Sequence, residues 1–425
     1  MSSAALSLDD WLARIESFTP AEIELGLERV QILLERLDPE MPATVLHVAG
    51  TNGKGSSVAM LEALLRTTGA SIGSYTSPHI RRYNERIRVD GIEASDADII
   101  SAFEHIESVR DDVPLTYFEF GTLAALSVFA RANTDIAILE VGMGGRLDAV
   151  NAVEPAAGMI TNVSLDHCDW LGEDVDTIGI EKAGIMRKGK PTVFAARQRP
   201  SSIDREASKT GASLIAAGRD YDWSVQGARW SWRGVAHRLD NLDRPSLRGD
   251  VQVENAAGVL ALVEAAGFDE LLQEDTVNAA LTRLTLPGRM QVFENGGNWL
   301  LDVAHNPAAA AALGDALRDS AVPGTTIGII GMLDDKDVEG VIRELGDSAE
   351  HWIAVTADNP RAIPATELGR RIANATNKGC LAAATVNEAL QYARELATQD
   401  DRIVVTGSFF VVGPALLALD IYSPR

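Results

Sequence analysis

Cysteine is scarce in this chain, whose 425 residues include only Cys168 and Cys380. The two cysteines lie far apart and in no metal-ligand spacing, which argues against a structural zinc site. So few and so widely separated cysteines are typical of proteins in the reducing cytoplasm, and we expect this protein to be cytoplasmic.

Long hydrophobic runs are also lacking, since no apolar stretch reaches the length that spans a bilayer. The first residues, MSSAALSLDDWLARIESF, show no basic start followed by an apolar core, so we expect no secretory signal. No internal repeat or low-complexity tract is visible. Instead, a hydrophobic content of 46% and a mean hydropathy near zero are typical of a soluble globular protein.

Basic residues are in deficit, because 38 Lys and Arg stand against 61 Asp and Glu and give a net charge of −23. A strongly acidic surface repels nucleic acid and anionic lipid, so we expect neither nucleic acid nor a membrane as a partner. Small anionic molecules remain possible ligands, since a local basic loop can bind them in an acidic chain.

The most informative stretch reads HVAGTNGKGSS, at residues 47–57. An apolar run predicts a strand, a glycine-rich turn follows, and apolar residues at helical spacing then predict a helix. Glycines let backbone N–H groups approach an anion, and the helix N-terminus adds a positive partial charge. Lys54 adds a full charge, and Ser56 adds a hydroxyl for phosphate or Mg²⁺. The sequence therefore predicts a phosphate-binding loop.

That loop departs from the usual pattern in two ways. Position 48 is Val where the pattern has Gly, and Gly55 separates Lys54 from the following serine. The alternative interpretation is a glycine turn with a solvated lysine. The order of strand, loop and helix favours the phosphate site.

Polar residues follow several predicted strands at the point where each strand ends. Glu140 ends a strand over 135–141, His167 follows one over 157–163, and Asp302 and His305 end one over 299–303. Carboxyl ends of parallel strands meet at one edge of a sheet, where a carboxylate beside a phosphate loop is placed to bind Mg²⁺. The alternatives are an ordinary strand-end glutamate and a structural histidine.

A basic loop, a lysine and an aromatic segment are open to more than one interpretation. The loop at 79–88 holds a histidine and four arginines, which fits either an anion clamp or a solvated turn. Lys182 lies in a predicted helix over 177–185, where most lysines extend their charged end into solvent. Residues 221–232 predict a β-hairpin with tryptophan packing rather than a ligand platform.

The chain is long enough for two or three domains, and its pattern changes at a Pro-Gly junction near residue 287. Strands alternate with helices on both sides of the junction, which predicts an α/β fold. We expect an N-terminal phosphate-loop ATPase domain with a mostly parallel sheet over 1–286. A smaller Rossmann-like α/β domain would occupy 287–425.

Seven motifs occur in fixed order: GTNGKGS, SPH, EVGMGGRLD, LDH, EKAGI, LPGRM and DVAHNP. In this order they resemble the Mur ligase superfamily, and within it the folylpolyglutamate synthase and dihydrofolate synthase family. The resemblance spans residues 20–412. LTYFEFGTLAAL at 115–126 and RLDAVN at 146–151 look most like the bifunctional bacterial members.

The resemblance implies a role for each matching position. ATP would be bound by Thr51, Asn52, Gly53, Lys54, Gly55, Ser56, Asn255, Arg289 and Asp302. Two Mg²⁺ ions would be held, the first by Ser77 and Glu140 and the second by His167. Lys182 would be carbamylated by CO₂, and His305 would lie near the γ-phosphate and the glutamate; with Lys54 these are the implied catalytic residues. The dihydropteroate side would be lined by Ile23, Glu24, Leu25, Thr116, Tyr117, Phe118, Glu119, Leu147, Asp148 and Ala149.

The implied activity is ATP-dependent joining of L-glutamate to dihydropteroate, followed by addition of further glutamates to reduced folates. Nothing in the sequence determines the oligomeric state, and we expect a monomer. One alternative is an enzyme that only elongates, and another is a Mur-type ligase of cell-wall precursors, which the YFEFGT and RLDAVN stretches disfavour. A phosphate-loop kinase or hydrolase would not need the DVAHNP region. A regulatory nucleotide-binding protein without chemistry would not need Glu140, His167 and Lys182 together.

Overall fold

The computed structural model describes residues 6–18, 24–294 and 297–422. Its centre is an eight-stranded sheet, here the large sheet, with spatial order β4-β3-β2-β5-β1-β6-β7-β8. The strands are β1 (Thr44–Ala49), β2 (Ile72–Tyr75), β3 (Ile87–Val89), β4 (Ile92–Glu93), β5 (Ile136–Glu140), β6 (Ala157–Ile160), β7 (Pro191–Phe194) and β8 (Ser213–Ala216). All pair in parallel except β3 and β4, which add antiparallel strands at one edge.

The large sheet is covered by helices on both faces. Along β1, Val45 and Ala49 join one apolar cluster while Leu46 and Val48 join another, as the alternation of side chains along a strand dictates. Helices of this N-terminal lobe are α1 (Leu8–Glu16), α2 (Glu28–Leu37), α3 (Lys54–Leu65), α4 (Asp96–Arg110), α5 (Tyr117–Arg131), α6 (Cys168–Leu171), α7 (Val175–Ala183), α8 (Ser201–Thr210), α9 (Asp250–Ala265) and α10 (Glu274–Leu281).

The sequence predicts a hairpin at 221–232, whereas the structure has a three-stranded antiparallel sheet there. The prediction was therefore wrong by one strand. Its strands are β9 (Asp222–Gln226), β10 (Arg229–Arg233) and β11 (Arg238–Asp243). Trp230 and Trp232 are each 1% exposed, and the Trp232 indole donates to the carbonyl of Ala257 on α9 at 3.1 Å. The tryptophans therefore pack into the core, as the sequence predicts. The third strand, RLDNLD, has too few β-branched residues to be recognised.

A second, six-stranded sheet forms the C-terminal lobe, with spatial order β12-β13-β17-β14-β15-β16. The strands are β12 (Gln291–Glu294), β13 (Asn298–Leu301), β14 (Thr326–Ile330), β15 (His351–Val355), β16 (Cys380–Ala383) and β17 (Arg402–Thr406). Only β12 is antiparallel to its neighbour. The helices, which cover both faces, are α11 (Pro307–Asp319), α12 (Val338–Leu345), α13 (Ala365–Thr376), α14 (Val386–Leu396) and α15 (Phe409–Ala418).

The α/β class and the two sheets confirm the predicted fold. Among the described residues, no helix combines the length and the apolar character that a bilayer crossing requires. The carboxyl ends of the parallel strands in both lobes carry the loops described next. These loops of the two lobes are in direct contact, since the side chains of Asn52 and Asn306 hydrogen-bond to each other.

Candidate active site

The phosphate loop connects β1 to α3, as predicted. Gly53 has a φ of 85°, a left-handed conformation that favours glycine, and α3 begins at the next residue, Lys54. Gly50 approaches the end of β6 so closely that a Cβ there would lie 1.7 Å from Thr161 Oγ1. The Lys54 ammonium donates to the carbonyls of Gly50 at 3.1 Å and Thr51 at 3.2 Å. The lysine thus bends back over its own loop.

Glu140 lies at the end of β5, beside the loop, and is 3% exposed. Burial raises the pKa of its carboxyl, while the charges of Lys54 and Arg289 and the Ser77 N–H oppose that rise. The Ser77 N–H donates to Glu140 Oε2 at 3.2 Å. A Cβ on Gly55 would lie 3.7 Å from the same oxygen. The predicted phosphate loop and the predicted carboxylate therefore adjoin each other.

A cavity lies between the two lobes at this point. The N-terminal lobe lines it with Gly55, Ser77 and Glu140, and the C-terminal lobe with Phe409 and Tyr422, while Arg289 enters from the connecting segment. Arg289 stands 5.2 Å from the centre of the Phe409 ring. The cavity therefore combines an anion-binding loop, a buried carboxylate and an arginine.

Two further residues implied to bind ATP border this region. Asp302 is 9% exposed and accepts from the backbone N–H groups of Met290 at 2.9 Å and Ala304 at 2.8 Å. Burial raises its pKa, opposed first by the charge of Arg289. Asn255, on α9, stands so close to the loop that a Cβ on Gly53 would lie 2.6 Å from Asn255 Oδ1.

A second cluster surrounds Asp166, to which sequence analysis assigns no role. Lys336 donates to Asp166 Oδ1 and Asn306 to Asp166 Oδ2, both at 2.9 Å, and His305 Nε2 lies 3.6 Å from Oδ2. His305 and Lys336, with the neighbouring His167, hold the pKa of Asp166 far below its usual range despite burial. Asp166 is thus a fixed anion that links the two lobes.

His167 precedes α6 in a left-handed conformation with φ 52°. It follows the end of β6 by several residues, since the strand stops at Ile160 rather than at 163 as predicted. Burial lowers the pKa of His167 to about 4, more than Asp166 raises it. The imidazole is therefore neutral at physiological pH, which is the form that binds a metal ion.

Lys182 is 3% exposed on α7, so the interpretation of a solvent-directed lysine is wrong. Burial, and then the charge of Lys54, lower its pKa to about 7. The hydrophobic periodicity of the sequence did not reveal this burial, because the small residues of the EKAGI stretch define no apolar face of the helix.

The residues implied to line the dihydropteroate side form a separate group. Asp148 is 3% exposed and accepts from the backbone N–H groups of Met143 at 2.9 Å and Val150 at 3.0 Å, yet burial raises its pKa to about 7. Leu147 accepts from the Gly26 N–H at 3.3 Å, which brings the 24–27 segment alongside. Leu25 lies in that segment, and Ala149 follows in the same turn as Asp148; Ile23 lies outside the described residues.

Thr116 and Glu119 cap the start of α5, since each side chain accepts from the other's backbone N–H. Tyr117 and Phe118 follow in the first turn, and the Phe118 and Tyr75 rings lie 5.9 Å apart. Glu24 and Glu119 are joined by Arg29, whose Nε donates to Glu119 Oε1 at 3.0 Å and whose Nη1 donates to Glu24 Oε1 at 2.7 Å.

Family models match both lobes. The Mur ligase middle domain matches residues 48–263, and the Mur ligase glutamate ligase domain matches residues 288–409. The curated dihydrofolate synthase/folylpolyglutamate synthase of Escherichia coli K12 is 38% identical, over 98% of this chain and 96% of its own length. The chain belongs to the dihydrofolate synthase/folylpolyglutamate synthase family of Mur ligases.

Other members of the family are similar over their whole length. The Haemophilus influenzae enzyme of the same name is 35% identical, over 96% of this chain and 97% of its own. E. coli FolC in complex with DHPP and ADP superposes with a TM-score of 0.93 at 37% identity, covering 99% of both chains. A bifunctional folylpolyglutamate synthase/dihydrofolate synthase with Mn, AMPPNP and L-glutamate bound gives 0.91 at 38% identity, over 99% of this chain and 100% of that one.

In this family member the basic loop is not an open clamp. Arg88 pairs with buried Glu62 at 3.0 Å, and Arg82 lies 3.7 Å from Glu93. Arg86 donates to His79 Nδ1 at 2.9 Å, and its guanidinium stands over the rings of Tyr83 and Tyr117. Composition predicted the charge but not these partners, most of which lie on other elements.

Sequence reasoning missed Arg29, Asp166 and Lys336. Asp166 lies in the LDH motif, and Lys336 lies in the loop after β14, so both obey the strand-end rule that identified Glu140. Within the described ranges, no three His, Cys, Asp or Glu side chains group into a metal site. A site at Ser77 and Glu140 would accordingly take fewer than three of its ligands from such side chains.

Proposed function

We propose that this protein joins L-glutamate to 7,8-dihydropteroate at the expense of ATP and adds further glutamates to reduced folates. The observation that carries the proposal is the cavity between the lobes. There a phosphate loop, the buried carboxylate of Glu140 and the guanidinium of Arg289 meet, which is the arrangement that phosphoryl transfer to a carboxylate requires.

The proposed domains are 1–286 and 287–425. The division is supported by the sheets, because every strand of the large sheet precedes residue 217 and every strand of the C-terminal sheet follows residue 290. A site between two domains suits this chemistry, since closing the domains excludes water from a reactive intermediate. We also propose that the enzyme is a monomer, and the scarce cysteines support a cytoplasmic location.

In the proposed nucleotide site, the N–H groups of residues 51–56 at the start of α3 bind the ATP phosphates. Lys54 exchanges its two loop carbonyls for β- and γ-phosphate oxygens, which are stronger acceptors because they are charged. Asn255 contacts the nucleotide from α9, and Arg289 and Asp302 contact it from the other side of the cleft.

A divalent metal fits the residues present at Ser77 and Glu140. The Glu140 carboxylate is buried and its pKa is raised, so a cation beside it would favour the ionised form. We propose Ser77 and Glu140 for a first Mg²⁺ and neutral His167 for a second. When bound, the metal neutralises charge on the transferring phosphoryl group.

We propose that Lys182 carries a carbamate. The amine attacks CO₂ only in its neutral form, and a pKa of about 7 leaves about half of the amine neutral at neutral pH. An N–C bond forms as one C–O π bond of CO₂ breaks, a proton is released, and the neutral amine becomes a carbamate anion. This anion supports the metal site, and it also removes the repulsion between Lys182 and Lys54.

A carboxylate does not form an amide with an amine unaided, so the acceptor carboxylate first attacks the γ-phosphorus of ATP and ADP leaves. The glutamate nitrogen then attacks the acyl carbon of the acyl phosphate, and phosphate departs with one carboxylate oxygen. Lys54 and Arg289 stabilise the charge of the phosphoryl group during the first step.

The glutamate amine must lose a proton to attack, and His305 is the proposed acceptor. His305 Nδ1 lies 2.8 Å from the Val303 carbonyl, which can only accept, so Nδ1 carries a hydrogen. Nε2 is consequently the atom that gains the proton. The Asp166 carboxylate 3.6 Å away stabilises the resulting imidazolium.

The pterin side is proposed at the group around Asp148, formed by Glu24, Leu25, residues 116–119 and residues 147–149. A carboxyl with a pKa of about 7 exists in both forms near neutral pH, so Asp148 can accept hydrogen bonds from pterin N–H groups or donate one.

The test is ATP-dependent phosphate release by the purified protein with Mg²⁺, L-glutamate and either dihydropteroate or a reduced folate monoglutamate, with product mass determined. We expect release with both acceptors and a gain of one glutamyl unit in each. Release with the reduced folate alone would establish an elongating enzyme only. Release with neither would contradict the substrate assignment and leave cell-wall precursors as the class to test.

A further inference from the structure

The loop between β2 and β3 carries Ser77 and is folded around the carboxylate of Glu85. Glu85 Oε2 accepts from the Ile80 N–H at 2.8 Å, and Oε1 accepts from the N–H groups of Arg81 at 2.8 Å and Arg82 at 2.7 Å. Three consecutive amides thus converge on one side chain, which fixes the course of the backbone directly after Ser77.

The same carboxylate also accepts a hydrogen bond from Tyr422 of the C-terminal lobe. The Tyr422 hydroxyl donates to Glu85 Oε1 at 2.6 Å, and the Arg81 guanidinium stands 5.2 Å from the centre of the Tyr422 ring. Tyr422 follows α15 and so belongs to the C-terminal lobe. Burial and the Glu85 carboxylate raise the pKa of Tyr422 far above its usual value, so its hydroxyl remains a donor throughout the physiological range.

Ile80 provides a second contact between the same loop and the C-terminal lobe. Its side chain packs on the apolar cluster formed by β13, β14, β17, α14 and α15. On α15, a Cβ at Gly413 would lie 2.5 Å from the Ile80 carbonyl oxygen, so only glycine permits this approach. Tyr422, Glu85 and Ile80 line the same cavity as Ser77 and Glu140.

We propose that Tyr422 is a positioning residue for the metal site. Through Glu85 it fastens the loop that presents Ser77 to Glu140, so that docking of the C-terminal lobe completes the metal-binding geometry. This inference rests on the proposed function in one respect, the assignment of Ser77 and Glu140 as metal ligands. Tyr422 contacts neither substrate nor metal in this account.

Tyr422→Phe tests the proposal because it keeps the ring over Arg81 and removes only the hydroxyl. Tyr392→Phe is the matched control: the Tyr392 hydroxyl donates to Glu388 Oε1 at 2.5 Å within α14, away from the cavity. Mn²⁺ binding is measured without turnover, by the electron paramagnetic resonance of free Mn²⁺ in the presence of a nonhydrolysable ATP analogue. Hydrogen exchange of the peptide covering 78–86 is followed in parallel.

We expect Tyr422→Phe to raise the Mn²⁺ dissociation constant about three- to tenfold, the range expected for the loss of one hydrogen bond of typical net strength. Exchange in 78–86 should accelerate, while Tyr392→Phe matches the wild type in both readouts. If the hydrogen bond between Tyr422 and Glu85 only stabilised the fold, Tyr422→Phe would lower the midpoint of thermal unfolding and leave the Mn²⁺ affinity unchanged. That result would overturn the proposal.

Gly413→Ala is a second variant that perturbs the loop from the opposite lobe, and it should weaken Mn²⁺ binding in the same direction. Unchanged Mn²⁺ affinity in folded Tyr422→Phe overturns the inference by itself, and unchanged affinity in folded Gly413→Ala would contradict the role of the contact between the loop and α15. Ligase activity of the wild type with the two acceptors is measured separately. Absence of that activity would contradict the proposed function, whereas the Mn²⁺ and exchange results decide this inference by themselves.

Discussion

Asn52 of the phosphate loop and Asn306 of the C-terminal lobe exchange two side-chain hydrogen bonds. Asn52 Nδ2 donates to Asn306 Oδ1 at 3.1 Å, and Asn306 Nδ2 donates to Asn52 Oδ1 at 2.9 Å. Asn306 also donates to Asp166 and caps α11. The loop that is proposed to bind phosphate is thus aligned directly with the strand end that carries Asp302 and His305.

Asn52→Ala removes this amide pair and leaves the cap of α11 intact. We expect kcat/KM for ATP to fall about tenfold with both acceptors, since about 1.4 kcal/mol of alignment is lost, with little change in the thermal midpoint. Steady-state kinetics and thermal unfolding check this. An unchanged kcat/KM would show that the amide pair does not align the two lobes for catalysis.

Lys54→Ala should abolish turnover with either acceptor, because no other side chain at the start of α3 supplies a full positive charge to the phosphates. The fold should survive, since the ammonium bonds only to two carbonyls of its own loop. Lys209→Ala, which removes an exposed lysine paired with Glu206 on α8, is the control. Near-normal turnover of Lys54→Ala would refute the phosphate assignment.

Asp148→Ala should damage the use of dihydropteroate more than the elongation of reduced folates, because its carboxylate is proposed to line the pterin side. The measurement compares kcat/KM for the two acceptors, after circular dichroism has established that the variant is folded. Equal losses with both acceptors would remove the role assigned to Asp148.

His47 should make the protein acid-sensitive. Its ring lies fully buried on β1, neither ring nitrogen has a hydrogen-bond partner among the described residues, and burial lowers its pKa to about 3. Between about pH 6.5 and that value the unfolded chain binds the proton and the folded chain does not, so stability falls as pH falls.

The variant His47→Leu isolates this contribution from the other titrating groups. Relative to the wild type, its free energy of unfolding in urea should improve by about 1.4 kcal/mol for each pH unit below 6.5, or about 2 kcal/mol from pH 7 to pH 5. A difference between the two proteins that does not vary with pH would contradict this account of His47.

The fold was predictable because strong local signals coincide. The apolar run, the glycine turn and the helical spacing around residues 47–57 predicted β1, the phosphate loop and α3, all of which the structure contains. Several strands lack such signals and were missed: β11 has too few β-branched residues, β12 alternates half-buried and exposed residues, and β16 is the weakly β-forming CLAA. Helix α15 was missed because it contains Pro414.

The candidate site was predictable where chemistry follows a strand end and unpredictable where partners come from distant segments. Glu140, Asp302 and His305 follow from position alone. Arg29 and Glu119 are 90 residues apart in sequence, and no local pattern pairs them. Burial of Lys182 likewise depends on the packing of α7 against α8 and the 144–146 loop, which the EKAGI stretch does not encode.

The most direct measurement of the central claim uses dihydropteroate labelled with ¹⁸O in its carboxylate, together with ATP, Mg²⁺ and L-glutamate. Ligation through an acyl phosphate predicts one labelled oxygen in each phosphate released, with dihydrofolate formed in equal amount. Unlabelled phosphate would contradict the account, because it would show that ATP is hydrolysed by water rather than used to activate the acceptor carboxylate.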